Sequence, residues 1–138
     1  MNKKVWMGFI AVFVAMQILD YIVHGVILKP TYDALKSLWR PDEKLWLYPI
    51  IGFIVSFFFA LIFSKGYENK GVGEGVRFGF YFGMVMSIPM AYGSYAMWPI
   101  PYSLALQWFL YTLVEYIILG VVIAKVFGSK PKETAPAA

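Results

Sequence analysis

The chain has 138 residues, of which 60% are hydrophobic and 14% are charged. This composition excludes an ordinary soluble domain, in which roughly 45–50% of residues are apolar and about 25% are charged, and the length allows one compact unit rather than two independent domains. The formal net charge of +4 comes from scattered bases with no basic, aromatic face, which excludes a nucleic-acid partner, and the lack of cysteine excludes disulfides and thiolate chemistry.

Four apolar segments predict an all-α, integral membrane bundle of four transmembrane helices in a lipid bilayer. A span needs about 20 apolar residues to cross a hydrocarbon core of about 30 Å. The predicted spans cover about residues 5–28, 45–64, 77–98 and 104–124. They form a single domain over residues 1–128, and the polar residues 129–138 predict a disordered C-terminal tail.

The segment between spans 1 and 2 has an amphipathic pattern. Over residues 31–40, Tyr32, Leu35 and Trp39 fall on one side of a helix, and charged residues fall elsewhere. The pattern predicts a short helix lying in the membrane interface. A segment of this length is equally consistent with a plain loop that caps the bundle.

The basic residues predict the orientation of the chain. With four spans, both termini lie on the same side of the membrane. Cytoplasmic loops carry the excess of Lys and Arg, so we expect a multi-pass protein of the bacterial inner membrane with both termini in the cytoplasm. The side with the termini holds Lys3, Lys4, Lys65, Lys70, Arg77, Lys125, Lys130 and Lys132, and the other side holds Lys29, Lys36, Arg40 and Lys44.

Span 3 carries a ridge of small residues that recur every four positions. Such ridges let the backbones of membrane helices approach closely, and Pro89 predicts a kink within the same span. The ridge would pack within the chain or against a partner, so we expect a homo-oligomer or a subunit of a larger membrane complex. The ridge residues are Gly75, Gly79, Gly83, Ser87 and Ala91.

Spans 1 and 4 carry ionisable residues where the surrounding sequence is apolar. Asp at the centre of a membrane helix costs about 2.5–3.5 kcal/mol on insertion scales, so such residues face protein or trapped water. The spacing places each set on one face of its helix. The predicted site combines Gln17, Asp20, Tyr21 and His24 of span 1 with Gln107, Tyr111 and Glu115 of span 4.

Two functional interpretations fit this polar site. In the first, Asp20, His24 and Glu115 handle an ion or a small solute, as intramembrane acids commonly do. In the alternative, the network is purely structural and the chain is an accessory or assembly subunit of a larger membrane complex. Enzyme chemistry is disfavoured, because no set of nucleophile, base and orienting residue is present.

No cofactor is predicted for the site. A metal ion and a haem are the two alternatives that the residues leave open. Carboxylate and imidazole ligands together suit a metal ion such as Zn, Mn or Fe, with Asp20, His24 and Glu115 as candidate ligands. A haem would use His24 as an axial ligand.

Three short motifs give the chain a resemblance to known sequences. They begin at Leu19-Asp20-Tyr21, at Pro89-Met90-Ala91 and at Pro99-Ile100-Pro101. With these motifs the chain loosely resembles uncharacterised families of small four-helix proteins of the bacterial inner membrane. The resemblance implies the four-helix architecture and no activity.

Overall fold

The computed structural model describes residues 1–128, and these are helical with no strand among them. The predicted all-α class is therefore confirmed. The predicted disordered tail at 129–138, with Lys130 and Lys132, lies outside the described residues. The helices are α1 (Lys3–Ile22), α2 (Lys29–Ala34), α3 (Leu47–Gly66), α4 (Val72–Ile88), α5 (Ser94–Met97) and α6 (Tyr102–Phe127).

Three helical stretches are long and apolar enough to cross a membrane. They are Lys3–Ile27, Leu47–Gly66 and Tyr102–Phe127, which correspond to the predicted spans 1, 2 and 4. The predicted third span corresponds to α4 and its continuation through α5, and this stretch is not among the three. It starts earlier than predicted and carries Glu74 and Arg77 in its first turns.

α1 packs against both α3 and α6, and α4 packs mainly against α6. The Lys4 Nζ atom donates a 2.7 Å hydrogen bond to the carbonyl oxygen of Phe127. A cation is stabilised there because the carbonyl end of a helix is the negative end of its dipole. The start of α1 therefore lies beside the end of α6, and we call this the N-terminal end of the bundle. The opposite end contains α2 and the turn at residues 98–101.

Glycines bring α4 and α6 into backbone contact. A Cβ atom built on Gly75 would lie 2.1 Å from the carbonyl oxygen of Gly120, and one built on Gly79 would lie 2.2 Å from that of Tyr116. Any larger side chain would force the helices apart. The five small residues of the sequence-predicted ridge are all buried: Gly75, Gly79, Gly83, Ser87 and Ala91.

Two helices contain a π-helical turn near the opposite end of the bundle. One covers Val23–Ile27 at the end of α1, and the other covers Pro89–Gly93 between α4 and α5. Pro89 has no N–H group and so removes a bond from the helical ladder at the position where a kink was predicted. Turns of this type often occur at functional sites, and the first contains His24.

The segment between α1 and α3 forms two short helices instead of the single element predicted for residues 31–40. α2 begins at Lys29, with Pro30 in its first turn, where the missing N–H of proline costs no hydrogen bond. A 3₁₀ turn at Lys36–Leu38 follows. Both pack over a second apolar core formed by Val23, Leu28, Ile100, Leu104 and Ala105.

Candidate functional site

A chain of hydrogen bonds starts at His24, in the π-helical turn of α1. Its Nδ1 atom lies 2.6 Å from the hydroxyl oxygen of Tyr32 on α2. The indole N–H of Trp108, on α6, donates to the same hydroxyl at 2.7 Å. A third bond, from the Trp39 indole N–H to the Tyr32 carbonyl oxygen at 3.0 Å, holds the backbone of α2 in place. Tyr32 therefore connects α1 to α6.

The direction of these hydrogen bonds follows from the chemistry of their groups. An indole nitrogen can only donate, so Trp108 occupies a lone pair of the Tyr32 oxygen. Burial raises the pKa of Tyr32 to about 12, which keeps its hydroxyl protonated. Among residues 1–128 that hydroxyl has no acceptor other than His24 Nδ1. A neutral His24 consequently accepts at Nδ1 and carries its own proton on Nε2.

The Nε2 atom of His24 faces Asp20, one helical turn earlier. It lies 4.0 Å from the Asp20 Oδ1 atom, which is longer than a direct hydrogen bond. Both side chains are partly open, with exposed fractions of 36% for His24 and 41% for Asp20. The protein therefore does not enclose these two side chains on all sides.

Glu115, on α6, is more deeply buried than Asp20 and His24. It is buried, with 6% of its surface exposed, and its carboxyl group interacts electrostatically with that of Asp20. Two carboxyl groups whose charges interact repel each other when both are ionised. Binding a proton or a cation between them would relieve that repulsion.

Between Glu115 and the N-terminal end, the interior of the bundle is filled by aromatic and aliphatic side chains. The ring of Phe59 lies 4.8 Å from that of Phe78 and 5.0 Å from that of Phe82. On α6, Leu119 and Ile123 are fully buried in the same core. Apolar side chains therefore seal the polar site on the side of the N-terminal end.

Of the sequence-predicted site residues, His24 lies beside Asp20, and the charge of Asp20 acts on Glu115. The others lie as follows. Gln17 packs against Gly52 of α3, and its amide nitrogen has no hydrogen-bond partner in the described part of the chain. Tyr21 is 70% exposed on the outer surface of α1. Gln107 is half-buried on α6, and Tyr111 packs against the second apolar core.

Sequence reasoning missed two members of the site, Tyr32 and Trp108. Trp108 precedes Glu115 by two helical turns, and that spacing places them on one helix face, so this residue was detectable. Tyr32 reaches His24 only because the chain turns back after Leu28. The predicted end of span 1 at residue 28 indicated a turn there, but not the direction that the chain takes after it.

The fold and site define a class: an all-helical protein with three candidate membrane helices and a polar site of Asp, His, Tyr and Glu. Over residues 1–128, no group of three or more His, Asp or Glu side chains is arranged to hold a metal ion. No protein-family model, curated protein or solved structure matches the chain.

The variant Tyr32→Phe tests the hydrogen-bond chain. Within residues 1–128 it removes the only donor to His24 Nδ1. The Nε2–H tautomer should therefore give way to a mixture of both tautomers. Losing one hydrogen bond of about 1 kcal/mol changes such a ratio by about fivefold. The measurement is the ¹⁵N NMR spectrum of the imidazole at a pH where His24 is neutral.

Tyr21→Phe is the matched control, because it deletes the same atom from an exposed tyrosine. Its His24 spectrum should equal that of the wild type. An unchanged spectrum in Tyr32→Phe would show that Tyr32 does not donate to His24.

Proposed function

We propose that this chain is a four-span protein of the bacterial inner membrane that handles protons, or a small cation, through Asp20, His24 and Glu115. The observation that carries the proposal is the hydrogen bond between the Tyr32 hydroxyl and His24, with Asp20 4.0 Å from the imidazole. The charge of Asp20 in turn acts on Glu115. Intramembrane acids and imidazoles are costly to insert, and they mark ion paths and proton relays more often than other sites.

The relay follows from the hydrogen-bond directions. Tyr32 passes its hydroxyl proton to Nδ1 of His24 as it takes up another proton from water, so that no tyrosinate forms. His24 releases its Nε2 proton through a bridging water to a carboxylate oxygen of Asp20, since the direct distance is 4.0 Å. A flip of the imidazole ring then returns a free nitrogen to Tyr32 and the N–H group to the side of Asp20, which resets the relay. Glu115 shares the proton with Asp20, since the two carboxyl groups interact electrostatically. No bond other than O–H and N–H bonds forms or breaks.

The membrane orientation in this proposal places the opposite end of the bundle outside the cell. In the described residues, Lys3, Lys4, Lys65, Lys70, Arg77 and Lys125 belong to the N-terminal end, which becomes cytoplasmic by the positive-inside rule. The half-exposed Asp20 and His24 then face outward. α4 and α5 together make span 3, which packs against α6.

One observation favours the alternative, an accessory or assembly subunit. Tyr32 bonds to both His24 and Trp108, and a network of this kind can simply fix how α2 sits on the bundle. In that case the polar residues position helices, and a homo-oligomer or a larger complex carries the activity.

Proton flux in reconstituted vesicles tests the proposal. Vesicles that contain the wild-type protein should dissipate an imposed pH gradient faster than protein-free vesicles, as reported by a trapped pH-sensitive dye. The same assay with a sodium or potassium gradient distinguishes a cation from a proton. Equal rates with and without protein under all three gradients would overturn the proposal.

A further inference from the structure

A cleft lies between the end of α3 and the start of α4, on the outer surface of the N-terminal end. Its volume is about 540 Å³, within the range of sites that bind small molecules. Ile62 and Phe63 of α3 and Phe78 and Tyr81 of α4 form its apolar wall. Glu68, Lys70, Glu74 and Arg77 form its polar rim.

The two acidic side chains of the rim already have hydrogen-bond or ion-pair partners within the protein. The two carboxylate oxygens of Glu74 accept hydrogen bonds from the backbone N–H groups of Glu68, at 2.6 Å, and Lys70, at 2.9 Å. Glu68 forms an ion pair with Lys70, and the hydrogen bond from Lys70 holds the pKa of Glu68 below its ordinary value.

Arg77 is the cation of the rim that remains available. It is exposed, and in the described ranges it makes no ion pair, although its charge acts on Glu68 from a distance. A guanidinium group presents five N–H donors in a planar fork, which matches the oxygens of a phosphate group.

The apolar wall continues from the rim towards the middle of the bundle. Ile62 is 48% exposed, and Phe58, one turn further along α3, is 51% exposed. Tyr81, one turn beyond Arg77 on α4, is 65% exposed, and tyrosine is common at the headgroup level of membranes. In the part of the chain that the structure describes, the cleft thus has one unpaired cation, Arg77, on a rim that also holds Glu68, Lys70 and Glu74, and an apolar groove that leads away from it.

We propose that this cleft binds one membrane phospholipid, with the phosphate on Arg77 and an acyl chain along the groove beside Ile62. Basic pockets between membrane helices on the cytoplasmic side are suited to lipid headgroups. The inference rests on the proposed insertion into a bilayer and is independent of proton handling by Asp20, His24 and Glu115.

Native mass spectrometry of the purified full chain tests the site. The delipidated protein is incubated with dioleoyl phosphatidylglycerol in detergent. The wild type should retain one lipid, and Arg77→Gln should retain it about tenfold less, as expected for the loss of one charge-assisted contact. Lys125→Gln is the control, because it removes one positive charge from the same end of the bundle outside the cleft.

A second variant and a comparison with inorganic phosphate complete the experiment. Ile62→Ser leaves Arg77 in place and alters only an exposed part of the groove, so it should weaken lipid retention even if Arg77→Gln fails to fold. Inorganic phosphate at the same phosphate concentration should not raise the thermal unfolding midpoint, whereas the lipid should. Equal retention in Arg77→Gln, Ile62→Ser and Lys125→Gln would overturn the proposal, as would equal stabilisation by phosphate alone.

Discussion

Replacing Gly79 with leucine should prevent α4 from packing on α6 and leave little folded protein. The added Cβ atom would lie 2.2 Å from the carbonyl oxygen of Tyr116 and 2.8 Å from the Cα atom of Ile117. Both are backbone atoms, which cannot rotate away, so the two helices must separate. Separation also removes the close contacts of Gly75 and Gly120, and dispersion contacts weaken steeply with distance.

The expected cost is about 3 kcal/mol or more, at the upper end for overpacked cores, against a total stability of roughly 5–15 kcal/mol for a typical domain. The measurement is the yield of monodisperse protein in detergent and its thermal unfolding midpoint by circular dichroism. Gly73→Leu is the matched control in the same helix, because a Cβ atom at Gly73 meets nothing within 4 Å. Equal midpoints for the two variants would show that α4 and α6 do not meet through Gly79.

The second large effect is expected from neutralising the carboxyl groups of the candidate site. Asp20→Asn and Glu115→Gln keep the size of each side chain and remove its ability to exchange a proton. Proton-transferring side chains commonly contribute a factor of 10² or more to a rate. Each variant should therefore reduce the proton flux through reconstituted protein by about a hundredfold.

Stability should change little in the same variants, because removing a buried charge avoids its desolvation cost. Asp33→Asn serves as the control, since Asp33 is an exposed carboxylate paired with Lys29 at 3.1 Å. The proton flux of this variant should match that of the wild type.

The accessory-subunit alternative makes the opposite prediction. It expects no protein-dependent flux in any sample and a loss of assembly in Asp20→Asn or Glu115→Gln.

The sequence by itself determined the helical class and the positions of the ionisable residues that are costly to bury in a membrane. Its long apolar runs exceed the length of an ordinary strand and fit membrane helices. An acid such as Asp20 or Glu115 inside such a run has to lie against protein or water. The four-residue spacing of Gly75, Gly79 and Gly83 likewise requires a common face on one helix. These features depend only on local periodicity and on transfer energies, which are properties of the chain alone.

Only the tertiary structure decided which groups meet. Gly120 became the partner of Gly75, and Tyr32 and Trp108 joined His24, because helix crossings and a turn after Leu28 brought distant segments together. The same packing directed Gln17 to α3 and Tyr21 to the outer surface, although both lie close to Asp20 in sequence. Helical periodicity fixes the face on which a residue lies, and it carries no information about which neighbouring helix that face contacts.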